Sequence, residues 1–280
     1  MIEIKDLTKK YGDFTAVENL NLTIETGEFF GLLGPNGAGK TTTISMLSTV
    51  LLPTSGEILI DGAKLDRKAS TSKRKISVIT QEYSMRQDMT MDEVMEYQGR
   101  LYYMKKKEIR EKSDELLDFA GLIDYRHRVV RHLSGGMKRK LMICRALMTD
   151  PEILLLDEPT AGMDAISRRQ MWNLLRQLHS RKITILLTTH YIDEAQSLCE
   201  RVALIDHGHL DTIGVPQALI DELGPFAVDK TTEETLVSKY FQDKQSAIDY
   251  LSASEGDMTM RNTTLEDVFV ERIGRRIDQK

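Results

Sequence analysis

The sequence predicts an α/β fold: a mainly parallel core sheet, an antiparallel β subdomain, a helical insertion and a small C-terminal extension. Three patterns carry that expectation. Residues 29–33, 153–156 and 183–187 are apolar runs with little alternation, as in strands buried on both faces, and two of them lead into helical patterns. Residues 2–4 and 20–24 alternate apolar and polar side chains, which fits half-exposed antiparallel strands. Residues 89–120 are rich in Met, Glu, Lys and Tyr, with Gly99 their sole glycine and no proline, which fits helices inserted between strands.

Taken in chain order, residues 57–60 followed by Asp61-Gly62 read as a strand and turn. Met91, Val94, Met95, Gln98, Leu101 and Tyr102 share helical spacing. A second helix is expected over residues 107–120, with Ile109, Leu116 and Leu117 among its apolar positions. After Asp211 the α/β pattern weakens, and Gly224-Pro225 punctuates the chain. The main domain is expected to span residues 1–215, with its helical part at about 83–148, and an extension of unassigned role to span 216–280. In the extension, Thr263 and Glu266 have capping-box spacing, and Leu265, Val268, Phe269 and Ile273 share one face of the helix that follows.

Composition excludes several classes. Of 280 residues, 41% are apolar, enough for a full core and against a largely disordered chain. Lys and Arg number 38 against 43 Asp and Glu, so the net charge of -5 gives no support to broad electrostatic binding, and no nucleic-acid partner is expected. The densest apolar runs are each about a strand long, far short of the roughly 20 residues of a spanning helix. Residues 1–10 mix charged and apolar side chains, unlike a signal peptide. Cys144 and Cys199 lie too far apart in sequence to suggest a disulfide framework or a zinc site. The expectation is a soluble, intracellular, globular protein.

The chemistry is carried by motifs. Gly34-Pro35-Asn36-Gly37-Ala38-Gly39-Lys40-Thr41 matches G-x-x-x-x-G-K-[ST], directly after an apolar strand and before a helical segment at residues 42–47. Glycines let the backbone curl so that successive N–H groups face phosphate oxygens, and the helix start adds partial positive charge. Lys40 supplies a mobile ammonium for the β- and γ-phosphates, and Thr41 offers a hydroxyl to Mg²⁺. A second motif, Asp157-Glu158, ends the apolar run 153–156. Side chains alternate along a strand, so the two acids would face opposite ways if the strand continued. In phosphate-loop NTPases the first acid after this strand holds Mg²⁺, which leaves Glu158 placed to polarise an attacking water.

Leu133-Ser134-Gly135-Gly136-Met137, taken with these two motifs, resembles the ATP-binding cassette (ABC) transporter family, in an order that agrees throughout residues 1–210. The usual family signature is LSGGQ, and here Met137 stands for Gln. The resemblance implies a phosphate-loop NTPase core that binds ATP and Mg²⁺. Asn36, Gly37, Ala38, Gly39, Lys40, Thr41 and Thr42 would hold the phosphates, and Tyr11 would stack on adenine. Thr41, Gln81 and Asp157 would serve the metal, with Lys40, Gln81, Glu158 and His190 as the catalytic set. It further implies that Ser134, Gly135, Gly136 and Asp164 act across a dimer interface. Two chains would then sandwich two ATP molecules. Ser134 and Asp164 also read simply as helix N-caps.

Gln98-Gly99-Arg100-Leu101-Tyr102, residues 133–140 and Thr264-Leu265-Glu266-Asp267-Val268-Phe269 resemble the branch exporting drugs, lipids or polysaccharides. The implied partners are a second cassette, expected to be identical, and separate integral membrane permease subunits. The implied location is cytoplasmic, peripheral on the inner face of the cell membrane. The Met- and Tyr-rich residues 85–104 would form part of the docking surface, or the insertion's own core. The rival readings are a soluble cassette ATPase acting on ribosomes, DNA or cluster assembly, and a regulatory module whose working part is the extension. A single cassette and the lack of long heptads count against the first rival.

Overall fold

The computed structural model describes residues 1–231, 236–254 and 256–274. Strands β1 (Ile2–Tyr11) and β2 (Phe14–Ile24) form a long hairpin in which Ile2 faces Ile24 and Tyr11 faces Phe14. Strand β3 (Phe29–Leu33) opens the core. Strands β4 (Ser55–Ile60) and β5 (Ala63–Lys64) then return beside β1, completing an antiparallel sheet of order β2-β1-β4-β5. The core sheet gains β6 (Ile76–Ile79), β7 (Ile153–Asp157), β8 (Thr184–Thr189), β9 (Arg201–Asp206) and β10 (His209–Gly214). Its order is β10-β9-β3-β8-β7-β6, parallel throughout except for the edge strand β10.

The lack of alternation in the core strands has a direct cause. Phe30, Leu32, Leu155 and Leu186 face an apolar layer shared with the antiparallel sheet. Their neighbours Phe29, Leu33, Leu154, Leu156 and Leu187 face a second layer built with the helices. Both faces are covered, so both registers must be apolar. Parallel pairing also brings the carboxyl ends of β3, β8, β7 and β6 to one edge, side by side, and ligands in such sheets bind outside those ends.

The helical insertion contains Met91–Leu101, Lys106–Phe119 and Gly135–Leu147. Thr90 caps the first with a full capping box to Glu93. Its buried stripe departs from the expected one. Met91, Val94, Met95 and Gly99 are buried, while Leu101 and Tyr102 point outward. The stripe continues through a residue without a side chain, because a Cβ on Gly99 would sit 2.5 Å from Ile109 Cγ1 of the next helix. The Met- and Tyr-rich stretch thus divides by residue type. Met85, Met91 and Met95 enter the core, and Tyr97, Tyr102 and Tyr103 are exposed.

Beyond β10, helix Pro216–Leu223 leads to strands β11 (Phe226–Thr231), β12 (Leu236–Phe241) and β13 (Met258–Asn262), ordered β12-β11-β13, with helix Lys244–Ala253 packed against them. The final cap lies one residue later than the sequence suggests. Thr264, not Thr263, caps helix Leu265–Phe269, with Asp267 as its reciprocal partner. The Thr263 hydroxyl donates instead to Gly224 O. A π turn over Val270–Gly274 lets Ile273 bury with Leu265 and Val268.

Arg261 binds both Asp229 and Asp267, and Tyr240 donates to Asp267. Burial pushes the Asp267 carboxyl up, but Arg261 and the Thr264 N–H and hydroxyl outweigh it and hold it below the ordinary carboxylate range. A depressed carboxylate stabilises the fold at neutral pH and loses that contribution as acid titrates it through its folded value. Arg261→Ala is expected to cost about 2 kcal/mol in denaturant melts at pH 7, less as the pH falls below about 4. An unchanged midpoint at pH 7 would remove the network from the stability of this extension.

Candidate active site

Three glycines shape the loop after β3. A Cβ on Gly34 would meet Ile205 O at 2.3 Å, and one on Gly39 would meet Ala16 O at 2.5 Å. Gly37 and Gly39 also sit at φ +83 and +104, where side chains are strained. Ala38 lies beneath the loop, its carbonyl accepting from Gly208 N–H. Helix Lys40–Leu47 starts here, so its first N–H groups and the positive end of its dipole lie at the loop.

Lys40 folds back over this turn and is 5% exposed. Its ammonium donates to Gly34 O at 2.8 Å and Pro35 O at 3.0 Å, and lies 3.5 Å from Glu158 Oε1. Burial lowers its pKa, and the Glu158 carboxylate opposes that.

The acidic pair does not diverge. Strand β7 stops at Asp157, and Glu158 turns left-handed at φ 48, a conformation costing about 1–3 kcal/mol for such a residue. Its N–H donates to Thr188 O. Asp157 accepts from Thr188 Oγ1 at 2.6 Å and Thr41 Oγ1 at 3.2 Å. Glu158 Oε2 lies 3.1 Å from His190 Nδ1, in a geometry that does not make a hydrogen bond. The alternation expected of a continuing strand therefore does not apply, and both acids reach the phosphate loop, Asp157 at Thr41 and Glu158 at Lys40.

A cavity of about 440 Å³ is lined by Asn36, Gly37, Gly39, Lys40, Thr41, Thr42, Gln81 and Glu158. Tyr11, Phe14 and Ala16 of the first hairpin close one side. Sequence reasoning missed Phe14 and Ala16, although Phe14 pairs across the hairpin from Tyr11. It also missed Thr188, whose signal was two threonines closing a buried strand before His190. Ala38 supports the loop but does not line this cavity.

Asp157 and His190 stand behind the lining and reach it through Thr41 and Glu158, whereas Ser134, Gly135, Gly136 and Asp164 neither line it nor contact a residue that does. Ser134 caps its helix by accepting from Met137 N–H. Asp164 caps helix Ala165–Ser180 through the Ile166 and Ser167 N–H groups. The two helix starts are neighbours, since a Cβ on Gly136 would lie 3.3 Å from Ser167 Oγ. The helix capped by Ser134 also holds the segment on both sides of Gln81. Tyr83 donates to Gly135 O, and Arg139 donates to Thr80 O.

Among the described residues no group of three or more His, Cys, Asp or Glu side chains could hold a metal. Mg²⁺ does not need one, because it is commonly held by one or two carboxylates together with phosphates and water. The Thr41 hydroxyl bonded to the Asp157 carboxylate, with Gln81 lining the cavity that Thr41 also lines, is a hard-oxygen donor set that fits it.

Fold and site define a nucleoside-triphosphate-binding enzyme of the phosphate-loop class. Residues 17–161 match the ABC transporter family. The Nod factor export ATP-binding protein I of Paraburkholderia xenovorans is 38% identical, covering 99% of this chain and 98% of its own. The linearmycin resistance ATP-binding protein LnrL of Bacillus subtilis is 37% identical over 80% of this chain and 72% of its own. A bacterial ABC transporter cassette solved as a dimer superposes with a TM-score of 0.69 at 31% identity, over 77% of this chain and 98% of that one. The chain belongs to the ABC transporter family, as an ATP-binding subunit and ATPase.

Lys40→Ala removes a buried, charge-assisted donor from the loop. ATP binding measured by calorimetry is expected to weaken by about tenfold or more. Unchanged affinity would detach Lys40 from the phosphates.

Proposed function

We propose that this chain is the ATP-driven motor of an exporter, working as a pair with a second cassette beneath separate membrane subunits. The observation that carries the reading is that Asp157 and Glu158 meet Thr41 and Lys40 of one phosphate loop, with His190 against Glu158. In this geometry Glu158 is the countercharge of Lys40. A γ-phosphate in the cavity would take over Lys40, leaving Glu158 to orient a water and accept its proton beside His190. Mg²⁺, bound at Thr41, Asp157 and Gln81, would neutralise charge on the phosphates. Tyr11 would stack on the adenine, with Phe14 beside it.

Ser134, Gly135 and Gly136 stand clear of the chain's own cavity, which supports their use on a second chain's nucleotide. Asp164, beside them, would sit in the same interface. An identical partner arranged head to tail gives two equivalent sites. Export, rather than uptake, is supported by the Nod factor export and linearmycin resistance relatives. Among the described residues no helix is long and apolar enough to cross a membrane, so the transport path would belong to other chains. Residues 83–148 offer them exposed tyrosines, and the cassette would lie on the inner face of the membrane. We assign residues 1–215 to the cassette and 216–280 to an extension.

Glu158→Gln is expected to bind ATP normally, lose about a hundredfold or more in turnover and accumulate as an ATP-bound dimer in sizing columns. Normal turnover would show that Glu158 is not the base. Affinity capture of that variant from detergent-solubilised membranes is expected to retain an integral membrane protein through a high-salt wash. Recovery with ribosomes instead would overturn the transporter reading.

A further inference from the structure

Behind the site lies a carboxyl that the mechanism above does not use. Glu194, on helix Ile192–Leu198, is fully buried. Its Oε1 accepts from Trp172 Nε1 at 3.0 Å. Its Oε2 has no hydrogen-bond partner, and neither has the buried Thr160 Oγ1. Among the described residues no Lys, Arg or His lies within ion-pair distance of it. Burial pushes the carboxyl pKa up, while the nearby Thr189 and Thr160 hydroxyls, neither within hydrogen-bond geometry of it, and the bonded Trp172 N–H oppose the shift. The two unpartnered groups, Glu194 Oε2 and Thr160 Oγ1, are of matching chemistry, since a hydroxyl can donate to or accept from a carboxyl.

Its neighbours are parts of the active site. Thr160 lies between Glu158 and Asp164, and Thr189 directly precedes His190. Trp172 belongs to the helix that Asp164 caps. From Trp172 a stack leads back to His190: the Arg168 guanidinium lies 5.9 Å from the Trp172 ring and 5.2 Å from the Tyr191 ring, and the Tyr191 ring centre is 4.1 Å from that of His190. A solely structural core position would be filled more cheaply by an apolar side chain, because an unpaired buried carboxyl is costly.

We propose that Glu194 is a positioning residue for ATP hydrolysis, locking the helix that begins at Asp164 to the loop that carries His190. It touches neither nucleotide nor water and acts through Trp172, Thr160 and Thr189. Small displacements of His190 would therefore lower turnover without weakening ATP, which is held by the phosphate loop on another strand. The proposal rests on His190 serving the γ-phosphate.

The test uses the full chain and steady-state ATPase assays. Glu194→Ala is expected to lower kcat about tenfold with KM for MgATP within about twofold, and Glu194→Gln, which keeps an acceptor for the indole and a donor for Thr160, to retain at least about half of kcat. Trp172 is the single tryptophan of the chain, so its emission reports on this contact directly. MgATP is expected to shift that emission in the native chain and in Glu194→Gln, and not in Glu194→Ala. A native kcat in Glu194→Ala, an equal loss in Glu194→Gln, a changed KM at constant kcat, or emission blind to MgATP would each overturn the proposal. Should Glu194→Ala fail to fold, Trp172→Phe removes the indole N–H while keeping an aromatic ring, and an unchanged kcat there overturns it equally. His190→Ala is measured beside them. Native turnover in that variant would undo the site reading itself, whereas its loss alongside a fully active Glu194→Ala would sink this proposal alone.

Discussion

An ammonium taken out of water has to be met by the protein, and Lys40 is that ammonium here. Two loop carbonyls and one carboxylate meet it. Each imposes a demand on the chain. The carbonyls of Gly34 and Pro35 can turn inward only because the loop curls through glycines pressed against Ile205 and Ala16. The carboxylate can arrive only because β7 ends one residue before it and Glu158 accepts a left-handed backbone. Strands β3 and β7 are separated by β8, whose Thr188 holds Asp157 and receives the Glu158 N–H. The site is thus a property of three neighbouring parallel strands, and the buried cation draws their ends into one electrostatic unit.

How far the sequence revealed this follows from the range of each interaction. The phosphate loop was legible because its physics is local: glycines, a lysine and a helix start within a few residues. The two acids were legible as a pair, but their convergence was not, since it depends on where a strand stops. Thr188 was hidden because its role arises from the β7–β8 register, which places it opposite Asp157. The buried stripe of the first insertion helix passed through Gly99, where an apolar count sees nothing. The terminal cap illustrates the same limit. Thr263 with Glu266 and Thr264 with Asp267 are equally good local patterns. Tertiary contacts decide between them, because Gly224 O engages Thr263 and Arg261 engages Asp267.

The extension is joined to the cassette at a telling place. The Leu265 N–H donates to Gln196 Oε1, on the short helix that also carries Glu194. Leu265 and Val268 are buried beside it. Motion of that helix would be felt in the extension, and the reverse holds by the same contacts. Residues 265–268 therefore contact the helix that directly follows His190, although they lie far beyond it in sequence.

The placement of Ser134, Gly135 and Gly136 outside the chain's own cavity has a kinetic meaning. In the proposed pairing, a lone chain holds nucleotide in half a site, and completing the site is a bimolecular event. The rate of fuel consumption then scales with how often two copies meet. Dilute chains free in solution would idle, while two copies tethered to one membrane complex face each other at an effective concentration in the millimolar range, of the kind short tethers produce. In that pairing assembly itself would be the throttle, and ATP would be hydrolysed chiefly where there is a transporter to drive.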